Sequence, residues 1–333
     1  MAETRTTFQR SYLPQKAFEI DRDLIPDLSI CIVNWNTRDM LRDCLNSIWK
    51  HKDDLNIEVF VIDNASSDGS AEMIKTEFST VTLIENNENK GFAQANNQGI
   101  AKATGRYILL LNPDTIILEE ALRRMTRFLD ENPNAGAVAA RLMNTDGSLQ
   151  FSLRQFPNFL TPFTENTNLA TLPGIFWCSQ KSRLMRWPHD SVREVEQPAG
   201  AALMIKRSCI ETLGSLNGSF HMFFEDVDIC YRIRNNGWKI YYLPEALIIH
   251  HGGQSVKKRT DMGTQFYRSL LKFSRLHRGK GWEFSMRMSM MILATYCFAI
   301  SLILLPFKPS RAMSIGKSAM NVIRAVFYRV AVY

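Results

Sequence analysis

Short, uninterrupted apolar runs alternate with amphipathic stretches along the first half of the chain. Leu28–Val33 (LSICIV), Ile57–Ile62 (IEVFVI), Val81–Ile84 and Tyr107–Leu111 (YILLL) have the apolar, often β-branched character of strands buried on both faces. Between the first two, Met40, Leu41, Cys44, Leu45 and Ile48 recur at helical spacing. Further helices are predicted at Ala71–Phe78, Phe92–Ala103 and Leu118–Leu129, and a fifth strand at Ala137–Leu142. Such alternation predicts an α/β fold with a mainly parallel sheet covered by helices. Residues 143–195 lose the regularity and read as a long excursion, an acceptor-side wall or lid. Order returns at Ala199–Ile205, Phe220–Asn235 and Lys239–Leu243.

The end of the chain follows another pattern. Met288–Phe307 is 20 residues without a charge, about 30 Å as a helix and long enough for a bilayer core. Both flanks are basic, with Arg259, Arg268, Lys272, Arg275, Arg278, Lys280 and Arg287 before it and Lys308, Arg311, Lys317, Arg324 and Arg329 after it. A charge excess on both sides fits a re-entrant or interfacial hairpin better than a single span. In the last segment Lys317, Asn321, Arg324 and Tyr328 form one helical stripe, and Met320, Ile323, Phe327 and Val330 another, the pattern of an in-plane amphipathic helix.

Charge sharpens that division. The net charge is +7, but residues 257–333 hold 14 Lys/Arg against 2 acidic residues, leaving −5 for the first 256. A mildly acidic body with a basic, apolar tail points to an anionic membrane surface, and the tail is too apolar and too poor in recognisable modules for nucleic acid. Hydrophobic residues at 45% and charged residues at 22% exclude wholesale disorder. The six cysteines form no CxxC pair and read as reduced core residues. Residues 1–27 are a polar N-terminal extension without a secretory core. The expected organisation is 28–142 and 143–256 as two halves of one α/β domain, then 257–333 as a membrane-associating region.

Polar residues cluster at the carboxyl ends of the predicted strands, the edge where open parallel sheets bind ligands. Asn34 and Asn36 follow the first strand, Asp63 ends the second, and Asn112-Pro113-Asp114 follows the fourth. Asp63 can accept hydrogen bonds from a nucleoside, while Ser66, Asp68 and Ser70 suit helix capping. Asp114, at the end of a very apolar strand, would hold a hard divalent cation beside a diphosphate. In Glu225-Asp226-Val227-Asp228, crowded carboxylates raise one another's pKa, which suits a general base. On a helix Glu225 and Asp228 share a face, which leaves Asp226 to project separately toward a substrate. His250, after an apolar strand and before two glycines, is a candidate for a metal or phosphate role.

In order along the chain, SICIVNWN (29–36), VIDNASSDGS (61–70), NKGFAQANNQG (89–99), LNPDT (111–115 with Leu110 before it), GAALMIK (200–206), FFEDVDICYR (223–232), residues 237–244 and HHGGQS (250–255) resemble glycosyltransferase family 2, in particular its rhamnosyltransferase-like branch. The resemblance covers residues 28–255. It implies a GT-A fold, a dTDP- or UDP-sugar donor, inversion at the anomeric carbon and Mg²⁺ or Mn²⁺. It assigns Asp63, Lys90, Gly91, Phe92 and Asn97 to the donor site, with Asn34, Asn36 and Asn112 beside them. Asp114 and His250 take the metal positions, and Asp226 is the catalytic base, with Glu225, Asp228 and Gly200 orienting the acceptor. Asn112 stands where the family's DxD has its first aspartate. The expected activity is transfer of a sugar, rhamnose for preference, to a lipid-linked saccharide at the cytoplasmic face of the cell membrane; oligomerisation is left open. A catalytically silent binder of sugar nucleotide and lipid is the alternative, and a nucleotidyltransferase lacks its phosphate loop at residues 34–38.

Overall fold

The computed structural model describes residues 25–165, 173–252 and 262–330. The first 24 residues, Gly253 to Ser255 of the histidine-glycine motif, and the basic residues 257–259 lie outside them.

Eight strands follow one path through a mixed sheet, and a short ninth pairs at its side. In chain order the elements are β1 (Leu28–Asn34), α1 (Arg38–Lys50), β2 (Ile57–Asp63), α2 (Ser70–Glu77), β3 (Thr82–Glu85), α3 (Phe92–Ile100) and β4 (Tyr107–Leu111). They continue with β5 (Thr115–Ile117), α4 (Ala121–Glu131), β6 (Ala135–Met143), β7 (Leu153–Arg154), α5 (Thr161–Thr164), α6 (Pro173–Ser182), β8 (Arg193–Glu194) and β9 (Gln197–Pro198). The chain ends with β10 (Ala202–Lys206), α7 (Arg207–Leu213), α8 (Glu225–Asn235), β11 (Lys239–His250), α9 (Met262–Leu304) and α10 (Pro309–Val326). The order across the sheet is β3-β2-β1-β4-β10-β6-β11-β5, with β8 on β11, while β7 and β9 form a separate ribbon.

The first four of these strands are parallel, as the strand–helix alternation predicts. β10 then enters antiparallel between β4 and β6, and β6 pairs β11 in parallel. The halves 28–142 and 143–256 therefore share one sheet. The predicted strand 199–205 begins only at Ala202, as β10, after a turn that follows β9, and β5 occupies residues 115–117 ahead of a helix that begins at Ala121 rather than Leu118.

Alternate residues of β1 explain the layers. Leu28, Ile30 and Ile32 face a core closed by Leu41 and Leu45 of α1, Met73 of α2 and Met125 of α4. Cys31 and Val33 face the opposite core, closed by Ala93 of α3, Cys209 of α7 and Ile229 and Ile233 of α8. Each fully buried aliphatic side chain of this kind contributes about 1.5–3 kcal/mol. All six cysteines are free thiols, and five are buried.

The C-terminal region forms a third core. α9 is two helices broken at Gly279, whose φ of +83° is open to glycine and costly for other residues. A straight helix would hold Arg268 and Arg287 about 28 Å apart. Both nevertheless reach Tyr328: Arg268 stacks 4.8 Å from its ring and Arg287 donates to its carbonyl at 2.8 Å. The two halves of α9 thus fold back on each other, with α10 against both. Leu270, Leu271 and Phe273 meet Met290, Leu293 and Cys297 and, from α10, Ile315, Ala319 and Val322. This bundle sits on Phe220, Phe224 and Val227 at the start of α8.

The buried stripe of α10 is Ala312, Ile315, Ala319, Val322 and Val326, beside the Met320, Ile323, Phe327 and Val330 stripe read from the sequence. Close approach selects small residues, since a Cβ at Gly316 would lie 3.2 Å from Ser301 Oγ. Met320 and Phe327 point outward instead, and the apolar 288–307 segment covers the bundle with one face only. Phe298, Leu302, Ile303, Leu305, Phe307 and Met313 stay exposed around the turn between α9 and α10.

Candidate active site

Two neighbouring cavities open at the carboxyl edge of the parallel strands. The larger, about 250 Å³, is lined by Asn112, Asp114, Gly200, Glu225, Asp226 and His250, with Val33, Phe92, Met222 and Phe223 among its apolar residues. The smaller, about 80 Å³, is lined by Trp35, Asn64, Asn89, Gly91 and His221 and shares Val33, Phe92 and Met222 with its neighbour.

Asp226 is placed by backbone. β9 leads into a turn whose Gly200 N–H donates to Asp226 Oδ2 at 3.0 Å, and the Val227 N–H donates to Oδ1 at 2.8 Å. α8 begins immediately after Phe223 and Phe224, both with positive φ (62° and 73°). Two consecutive bulky residues in that region cost roughly 1–3 kcal/mol each. Phe224 is held there by Phe266 and Phe273 of α9, so packing offsets the strain and turns the first residues of α8 into the cleft.

That turn reassigns the acidic trio. Glu225 and Asp226 share the cavity, while Asp228 is fully buried and takes Arg232 Nε at 2.8 Å and His277 Nε2 at 2.7 Å. The pairing of Glu225 with Asp228 on one face is therefore replaced by Glu225 with Asp226, and Asp228 ties α8 to α9. Burial, together with the neighbouring Asp226 charge, pushes the Glu225 carboxyl well above its ordinary range. Burial also raises Asp226, against the Gly200 and Val227 amides. Glu225 Oε2 is buried without a hydrogen-bond partner among the described residues, which fits a protonated or substrate-seeking carboxyl.

Across the cavity, Asp114 Oδ1 lies 3.3 Å from His250 Nε2. The ring is oriented from behind. Gln150 Nε2 donates to Asn144 Oδ1 at 2.9 Å and to the His250 carbonyl at 3.1 Å. Its Oε1 must then accept at 2.6 Å from His250 Nδ1, which leaves the lone pair on Nε2 facing Asp114 and the Asn112 amide, 3.3 Å away. A carboxylate oxygen opposite an imidazole lone pair is the donor set of a divalent cation. Among the described residues no three His, Cys, Asp or Glu side chains converge on a metal position, so the remaining ligands would come from a diphosphate and water. The donors present fit Mg²⁺ or Mn²⁺.

The other expected donor residues are placed differently. Asn34 is buried, donates to Asp63 Oδ1 at 2.8 Å and to Ser66 Oγ at 3.0 Å, and accepts from Thr37 Oγ1 at 2.7 Å. The Ser66 amide completes Asp63 through Oδ2 at 2.9 Å, and Asn36 accepts from the Ser67 N–H at 2.7 Å. These residues shape the loop after β2 and line neither cavity. Lys90 donates its amide to Asn64 at 3.2 Å. Asn97 exchanges both its amide groups with the Leu216 backbone, at 2.7 and 3.0 Å, and so pins the 214–220 loop. Gly91 fits beneath that loop, where a Cβ would lie 2.5 Å from the His221 carbonyl.

Trp35 and Asn64 belong to the polar clusters that end the first two strands, and both line the smaller cavity. Gln150, His221 and Met222 are cavity or supporting residues with no signal of their own in the sequence, because pairing of distant loops creates their positions.

The mixed sheet with its cleft at the carboxyl edge has the GT-A architecture. Residues 29–192 match the family model of glycosyl transferase family 2. A curated relative, the N-acetylglucosaminyl-diphospho-decaprenol L-rhamnosyltransferase of Mycobacterium tuberculosis, is 24% identical over 60% of this chain and 68% of its own. The low-salt glycan biosynthesis hexosyltransferase Agl10 of Haloferax volcanii is 25% identical over 70% of each chain. Among solved structures, a mannosyltransferase from Pyrobaculum calidifontis in complex with GDP-Man and Mn²⁺ shares the fold, with a TM-score of 0.53, 17% identity and coverage of 90% of this chain and 86% of its own.

Proposed function

We propose that the protein transfers a sugar, rhamnose for preference, from a nucleotide sugar to a lipid-linked saccharide, with inversion at the anomeric carbon. The observation that carries this is the shared cavity in which Asp226 and Glu225 face Asp114 and His250. Asp226, aimed by Gly200, takes the proton of an acceptor hydroxyl. The resulting oxygen attacks the anomeric carbon from the side opposite the nucleoside diphosphate, and the bond to that diphosphate breaks. Phe92, Gly91 and Asn112 border the donor, with Lys90 beside them and Asp63 beneath the nucleoside. Asp114 and His250 would hold a divalent cation, which when bound neutralises charge on the departing diphosphate. A base so placed contributes about 10²–10⁴-fold.

The C-terminal bundle supports a membrane-bound reading. Its exposed Phe298, Leu302, Ile303, Leu305, Phe307 and Met313 surround Lys308 and Arg311, a greasy tip with a basic collar suited to anionic lipid. Because the other face of 288–307 is covered by the bundle, shallow insertion fits better than a span. The cytoplasmic leaflet is the side that such basic residues prefer. The relative from M. tuberculosis, named for a decaprenol-linked substrate, agrees with an acceptor of this kind.

The test is to incubate the purified full chain with Mn²⁺ or Mg²⁺ and a panel of dTDP- and UDP-sugars, with and without a prenyl-diphosphate saccharide. Metal-dependent release of nucleoside diphosphate that the acceptor stimulates is expected. Donor binding without release under any condition would turn the assignment to the silent binder.

A further inference from the structure

A pair of arginines gathers at the β7–β9 ribbon. Arg154 in β7 and Arg183 beyond α6 converge on one carboxylate, Glu165: Arg154 Nε at 3.3 Å and Arg183 Nη2 at 3.0 Å. Glu165 is nearly buried, with its side chain 10% exposed, whereas those of the arginines are 32% and 24% exposed. One acid between two guanidinium groups leaves a net positive charge. The terminal nitrogens of Arg154 make no hydrogen bond to a described residue.

Position gives the pair a role. Arg154 faces Gln197 in the β7–β9 ribbon, which leads within three residues to Gly200 and its hydrogen bond to Asp226. The Arg154 charge acts on the Asp226 carboxyl, opposing the rise that burial imposes. In the other direction Glu165 closes α5, and the residues before α5 include exposed Phe159 and Leu160. Ser289 of α9 donates to the Phe159 carbonyl at 2.6 Å, which joins these side chains to the outward-facing Met288 and Ile292. From the cleft outward the protein therefore presents carboxylates, a cation pair and an apolar surface.

We propose that Arg154 and Arg183, gathered by Glu165, bind the anionic phosphate linkage of a lipid-linked acceptor while its sugar reaches Asp226 and its lipid lies on the surface formed by Phe159, Leu160 and α9. This rests on the lipid-linked acceptor reading given above. The order sugar, phosphate, lipid in such a molecule matches the order base, guanidinium pair, apolar surface in the protein. Guanidinium groups suit this task because their forked donors meet phosphate oxygens two at a time.

The test uses the full chain in detergent and two calorimetric probes: N-acetylglucosamine joined to a short prenyl chain through a diphosphate, and the same sugar joined to the same chain directly. Wild type is expected to bind the diphosphate probe about tenfold or more tightly than the neutral one. Arg154→Gln and Arg183→Gln should lose that preference, with neutral-probe and nucleoside diphosphate binding unchanged, and Arg154→Lys should recover part of it. Variants that keep the wild-type preference would overturn the assignment. Wild type binding both probes equally would overturn it while leaving a lipid-linked acceptor standing, whereas binding neither would remove that acceptor as well.

Discussion

Gly200 and Asp226 are in backbone-to-carboxylate contact: the glycine amide donates to Oδ2 at 3.0 Å, and a Cβ on Gly200 would lie 3.1 Å from that of Asp226. The carboxylate proposed as the base is thus aimed by a residue at which a side chain would press on it. Gly200→Ala is expected to displace Asp226 and lower kcat while the KM for donor holds. Asp226→Asn should lower kcat by about 10²–10⁴-fold with near-normal folding. Steady-state kinetics and thermal unfolding of both variants check this, and a Gly200→Ala enzyme with wild-type kcat would show that the aim is not set there.

Glu225 predicts a stability effect with a definite sign. Its folded pKa is raised by burial and by the Asp226 charge, so the folded state binds more protons than the unfolded state above the normal carboxyl pKa of about 4.3. Its contribution is fully present below that value and is lost as pH rises toward the folded pKa. Glu225→Gln should flatten this part of the Tm-against-pH curve and raise Tm on its alkaline side. A curve parallel to wild type would mean that Glu225 is not the group responsible.

The Gln150–His250 hydrogen bond predicts a metal phenotype away from the cavity lining. Gln150→Leu frees the imidazole to carry its proton on Nε2, which would turn the lone pair away from Asp114. Mn²⁺ affinity, titrated by electron paramagnetic resonance in the presence of UDP, is expected to fall by about 10–100-fold. UDP binding without metal should be unaffected.

Much of this architecture is readable from residue order, and the exceptions have physical causes. β4 coincides with the apolar run 107–111 because a doubly buried strand tolerates no polar residue. β5 escapes because three residues after Asn-Pro-Asp carry too little pattern to stand apart from the next helix. The reversed direction of β10 is invisible, since apolar runs have no polarity. Asp114, Asp226 and His250 stand out as charges beside apolar segments, whereas Gln150 and Arg154 gain meaning only when loops meet. Asp228 deceives for the same reason: its partner His277 comes from a helix that the acidic motif does not foreshadow.

The exposed tip of the bundle predicts lipid binding separable from chemistry. Replacing Leu302 and Phe307 with serine should weaken sedimentation with vesicles containing phosphatidylglycerol, and added salt should weaken it further through Lys308 and Arg311. Turnover of a water-soluble acceptor should not change. Equal sedimentation of variant and wild type would move the membrane contact elsewhere.

The buried bond between His277 and Asp228 makes the tail something other than a tether. Asp228 sits in the same helical turn as Asp226, and its counterpart belongs to the first helix after residue 262. Cutting the chain before that helix would leave a buried carboxylate short of one partner, remove Phe266 and Phe273, and lay bare Phe220 and Phe224 at the start of α8. A shortened protein made for solubility would therefore lose the very wall on which the start of α8 and its carboxylates rest.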